Sequence, residues 1–141
     1  MPKQDKVSGG FCTPESFLKF GGDFLNKDLK KNNDRSMKRF RALFGCDPII
    51  CFILFKMIVE NGIAPAGFLA PDLLMGLLFL KVYATEVVHA GMAGVCEDTF
   101  RKKSWIAILC ISELYFDVVS KLIISNIMIK IKTSNYYFIK D

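Results

Sequence analysis

The segment Asp47 to Gly62, DPIICFILFKMIVENG, limits the fold more than any other stretch. Asp47 stands where a helix N-cap is favoured, and Pro48 takes the first helical position, where a missing N–H leaves no hydrogen bond unmade. Asn61-Gly62 supplies the stop. Between them Ile49, Ile50, Phe52, Ile53, Phe55, Met57 and Ile58 cover most of a helical circumference, which predicts a helix in the middle of a bundle. A second punctuated run follows a loop over 62–70 that carries Pro65 and Gly67. Pro71 starts it, Asp72 is favourable in its first turn, and Leu73, Leu74, Leu77, Leu78 and Leu80 make another core helix ending near Tyr83. Gly76 lets a neighbouring helix come close. The expected class is all-α, a small helical bundle.

Upstream, Asp34 is predicted to cap a helix that runs to Phe44 and stops at Gly45. At about 100° per residue, Met37, Phe40, Leu43 and Phe44 share one arc, while Arg35, Lys38, Arg39 and Arg41 fill the opposite one. Such a helix has one face for a core and one for water or phosphate. Residues 1–33 are read as a flexible leader, because Gly9-Gly10, Gly21-Gly22 and Asn32-Asn33 break its periodicity. Only a short amphipathic turn around Ser16 to Phe20 is allowed for.

The stretch Thr85 to Lys103, TEVVHAGMAGVCEDTFRKK, fits two helices joined by a tight turn. Thr85 caps the first and Gly94 permits the reversal. In the helix-turn-helix plan Ala90 is small where the helices cross, Val95 plugs the crevice and Phe100 anchors the second helix. That second helix then offers Thr99, Arg101 and Lys102, a hydroxyl and two cations suited to phosphate oxygens and base edges. Lys103 falls where such units usually place an apolar residue. An ordinary helical corner accounts for the same pattern. The second helix continues past Trp105 through Ile106, Leu109, Ile111, Leu114, Phe116 and Val118, leaving an apolar surface that implies a partner. Beyond it, residues 121–141 form a divergent tail whose IMIKIKT alternates as a strand would, with no partner strand. The expected division is a leader over 1–33, a helical domain over 34–120 and an irregular tail over 121–141.

At 141 residues the chain suits one domain, and a hydrophobic fraction of 52% excludes a disordered class. The longest apolar runs, Pro48 to Phe55 and Leu73 to Leu80, are less than half a membrane span, so no membrane partner is expected. The start, MPKQDKVSGGF, lacks the apolar core of a secretory signal. The net charge of +5 is concentrated over residues 34–41, the footprint a phosphate backbone attracts, or simply a solvated face. Cys12, Cys46, Cys51, Cys96 and Cys110 show no paired close spacing and His89 is the sole histidine, which argues against zinc and for reduced intracellular thiols. Cys51 and Cys110 are expected in the core, Cys96 exposed, His89 on the surface and Trp105 as a core anchor. No metal, cofactor or catalytic residue is assigned.

Three groups of residues carry a resemblance: Phe40 to Phe44 with Gly45; Leu77 to Lys81 followed by Tyr83-Ala84-Thr85-Glu86; and Gly94-Val95 leading to Thr99-Phe100-Arg101-Lys102 and Trp105. Together they resemble the N-terminal helical region of Harbinger-type DDE transposases, over Arg39 to about Leu114. The resemblance implies a helix-turn-helix, double-stranded DNA as partner, and residence in the nucleus. In that family a ribonuclease H-like domain follows, whose three carboxylates hold two divalent metals. Here only Glu113, Asp117 and the terminal Asp141 remain, so no nuclease activity is expected, and the tail is read as a truncated gene or a read-through of noncoding sequence. Two alternatives stay open: a helical protein-interaction module that pairs or self-associates through Trp105 to Val118, and a nonfunctional remnant.

Overall fold

The computed structural model describes the backbone over residues 12–139 and side chains over 12–134. It contains six helices: α1 (Pro14–Leu25), α2 (Asp34–Phe44), α3 (Pro48–Glu60), α4 (Ala70–Lys81), α5 (Glu86–Ala93) and α6 (Glu97–Ile139). No strand occurs among the described residues, and the class is all-α. The centre is α4, which packs against all five other helices. Its Leu73, Leu74, Met75 and Leu78 are buried. At Gly76 the backbone of α6 comes so near that an added Cβ would stand 2.5 Å from the Ala107 methyl. This crossing sets the α4–α6 spacing.

Over residues 14–25 the expected flexible leader is instead a capped core helix. Thr13 Oγ1 accepts the Ser16 N–H, the Thr13 N–H donates back to Ser16 Oγ, and Pro14 takes the first position. Phe17, Leu18 and Phe24 are buried. Gly21 does not break this helix; it lets α2 in, since a Cβ there would strike the Phe40 ring at 2.5 Å. Asn26, at φ 53°, ends it.

The N-cap of α2 lies one residue earlier than predicted. Asn33 Oδ1 accepts the Ser36 N–H at 3.1 Å, which leaves Asp34 as the first helical residue. The helix stops at Gly45, φ 84°, and α3 leaves at a bend of 46°. The expectation that α3 lies mid-bundle fails. Ile49, Ile50 and Ile53 are about half exposed, and only Pro48, Cys51 and Ile58 are buried. Apolar residues all round a helix create demand for neighbours, yet α1, α4 and α6 cover one side only.

The tail also departs from expectation. α6 is 43 residues long and crosses the anticipated boundary at residue 120 without a break. Its two-residue alternation finds no partner strand, so adding turns to an already nucleated helix wins. From residue 120 to 134 every side chain is exposed.

Candidate nucleic-acid interface

Between α5 and α6 the chain turns at Gly94, φ 68°, and the Val95 N–H returns to the Ala90 carbonyl at 3.1 Å. Ala90 and Phe100 are buried and Val95 is half-buried, at the positions the turn pattern specified. Thr85 occupies the N-cap of α5 without a side-chain hydrogen bond. Cys96 precedes α6, its carbonyl accepting the Phe100 N–H at 3.0 Å. Its sulfur lies 3.0 Å from Thr99 Oγ1, and hydrogen bonds from the Thr99 hydroxyl and backbone hold this exposed thiol below its ordinary range. The Thr99 hydroxyl is therefore already engaged.

Arg101 is exposed, but its guanidinium is occupied. Nε lies 3.0 Å and Nη2 2.6 Å from the two Glu86 oxygens, and Nη1 lies 3.1 Å from Asp98. This forked pairing holds the Glu86 carboxyl below the usual carboxylate range and lifts the Arg101 guanidinium further. Lys103, the misfit in the turn pattern, reaches Asp72 at 3.3 Å, a carboxylate buried on α4 that also accepts the Leu69 N–H. The side chain that broke the apolar pattern thus neutralises a core charge. Among the described residues Lys102 has no carboxylate within 4.0 Å. With Glu86, Glu97 and Asp98 beside it, this end of α6 is close to electrically balanced.

α2 offers the stronger cationic surface. Arg35, Lys38 and Arg39 are exposed, and among the described residues none has a carboxylate within 4.0 Å. Arg41, the fourth predicted contact, is tied to Asp47 at 2.7 Å. The three free cations are fixed from behind, because Phe40, Leu43 and Phe44 on the reverse face are buried and Phe40 and Phe44 lie with ring centroids 4.7 Å apart. The two predicted groups, on α2 and on α6, sit on separate helices that both pack on α4. No family model, curated protein or solved structure matches the chain.

His89 is not the surface residue expected. It is 2% exposed, its Nε2 donates to the Val82 carbonyl at 2.9 Å, and its ring stacks on Phe100 with centroids 5.2 Å apart. It serves as a core tie between α5 and the end of α4. The missed signal is its position immediately before Ala90, on the arc that faces Phe100. Trp105 is 53% exposed rather than a core anchor, with one edge against Phe79. Among the described residues no group of three His, Cys, Asp or Glu side chains is placed to hold a metal ion.

Proposed function

We propose that this chain is a double-stranded-DNA-binding helical domain of the kind that opens Harbinger-type transposases, with its main phosphate contacts on α2. The observation that supports this reading is the set Arg35, Lys38 and Arg39, exposed on a helix whose opposite face is locked in the core. Their i, i+3, i+4 spacing aligns them along roughly 6 Å of helix axis. Each strand of a duplex carries one phosphate per about 3.4 Å of duplex axis, so neighbouring ones lie within reach of the long side chains of such a row. Lys102 supplies a further contact near the α5–α6 turn. Arg101 joins only by exchanging Glu86 and Asp98 for phosphate. The proposal includes no strand cleavage: Asp117 is paired with Lys121 at 3.0 Å, and it shares one helix with Glu113. Nuclear residence follows from the partner.

Fluorescence anisotropy of a labelled duplex across a salt series tests this. Replacing Arg35, Lys38 and Arg39 with Ala should flatten the slope of log K against log salt by about two to three units, at about 0.9 per phosphate lost. Replacing Arg101 and Lys102 should flatten it by about one. A triple variant that binds like the wild type, or wild-type protein that ignores duplex at micromolar concentration and low salt, refutes the proposal.

A second reading, self-association, is favoured by a separate observation. Trp105, Leu109, Phe116 and Ile123 are each more than half exposed, and with Ser112 and Val119 they form one stripe at alternating four- and three-residue steps along α6. That is the spacing of a coiled-coil seam. Sedimentation should show wild-type dimer at micromolar concentration and monomer for Phe116→Glu with Ile123→Glu. A wild-type monomer at the same concentration removes this reading.

A further inference from the structure

Cys46 and Cys51 are five residues apart, a spacing with no motif behind it, yet their sulfurs lie 3.5 Å from each other. The cause is the start of α3. With Asp47 at the N-cap and Pro48 first in the helix, Cys46 is the residue before the cap and Cys51 the fourth helical residue. Helix starts bring this pair of positions together as a hydrophobic staple, which fixes the angle at which the chain enters the helix. Any two apolar side chains would make the staple. Two thiols make it oxidisable.

We propose that Cys46 and Cys51 form a peroxide-sensitive dithiol that closes to a disulfide within the α2–α3 corner. The geometry separates the two roles. Cys46 is half-buried and reachable from solvent, whereas Cys51 is fully buried behind it. The two sulfurs share a hydrogen bond in which either could donate, and this contact with Cys51 holds the Cys46 thiol below its ordinary range against the opposing effects of burial and the Asp47 charge. The same hydrogen bond, together with burial, pushes the Cys51 thiol far up. Cys46 is therefore the nucleophile and Cys51 the resolving thiol.

The Cys46 thiolate attacks one oxygen of hydrogen peroxide; an S–O bond forms, the O–O bond breaks, and hydroxide leaves to become water. The resulting sulfenic acid is attacked by the Cys51 sulfur, so that the S–O bond breaks and hydroxide departs with the Cys51 proton as a second water. Two thiols are oxidised by two electrons and one peroxide is reduced. Little movement is needed, because a disulfide spans about 2.05 Å and side-chain rotation closes the remaining gap of roughly 1.5 Å.

The experiment treats the reduced full chain with dilute hydrogen peroxide, quenches in acid, then denatures, alkylates and digests it with trypsin. Both thiols fall in one peptide, Ala42 to Lys56. The expected product is this peptide two hydrogens lighter and resistant to alkylation, taking two alkyl groups only after reduction. Cys51→Ala should instead drive Cys46 to the sulfinic acid, a gain of two oxygens. Cys46→Ser, altered at a part-exposed position, should leave Cys51 fully alkylatable. A peptide that stays doubly alkylatable at a dose that oxidises the exposed Cys96 overturns the proposal, as does independent overoxidation of both cysteines in the wild type.

Discussion

Gly76→Ala tests the crossing on which the bundle is built. The new methyl would sit 2.5 Å from the Ala107 Cβ and 3.4 Å from the Ser104 carbonyl oxygen, against about 3.5–4.0 Å for a comfortable carbon contact. Both obstacles are fixed to helix backbone, so α4 and α6 must separate by about 1 Å. Overpacking of this kind costs about 1–3 kcal/mol, and Ala in place of Gly within a helix returns about 1 kcal/mol. The net expectation is a destabilisation of up to about 2 kcal/mol, or a midpoint lowered by up to roughly 8 °C in a thermal melt followed by circular dichroism. Ala107→Gly alone should also destabilise, by roughly 1–2 kcal/mol, through lost helix propensity and one buried methyl. Combined, the two substitutions move a single methyl from one helix to the other and should restore stability to within about 0.5 kcal/mol of wild type. A double variant whose loss equals the sum of the single losses refutes the reasoning, because the two sites would then not share one contact.

Two further outcomes follow. The folded-state pKa of Glu86 lies below its unfolded value, so the stability it contributes is complete above the ordinary carboxylate range and is lost as pH falls through the depressed value. Acid titration of wild type should therefore show a steeper loss below about pH 4.5 than titration of Arg101→Ala, and equal acid limbs would discount the pairing. His89→Leu keeps the ring volume roughly filled but removes the part-buried hydrogen bond to the Val82 carbonyl; urea unfolding should show a loss of about 1 kcal/mol, and an unchanged midpoint would dismiss the tie between α4 and α5.

The helices with explicit punctuation were legible without coordinates. Pro48 with Asn61-Gly62, Pro71 with Asp72, and Gly45 and Gly94 as stops all mark real ends to within a residue or two. α1 was hidden because Gly21-Gly22 looks like a breaker, and only the position of Phe40 shows why a side chain is excluded there. The partition of apolar residues in α3 depends on how many neighbours arrive, which no local pattern records. At the candidate interface the exposed row on α2 was readable from periodicity alone. The neutralisation of Arg101 by Glu86 was not, since those residues are 15 apart and meet only because the chain reverses between them. The dithiol had a readable cue in the Asp-Pro helix start, which places the residue before the cap against the fourth residue of the helix.

The far half of α6 extends as a rod anchored at one end. All 43 residues would span about 65 Å, and the turns over residues 120–134, whose side chains are all exposed, inherit a nucleus from the packed half. Such turns open more readily than those in the packed half. Ellipticity should thus decline gently on warming well before the body melts, and backbone amides near residue 130 should trade deuterium orders of magnitude faster than those at Ala107.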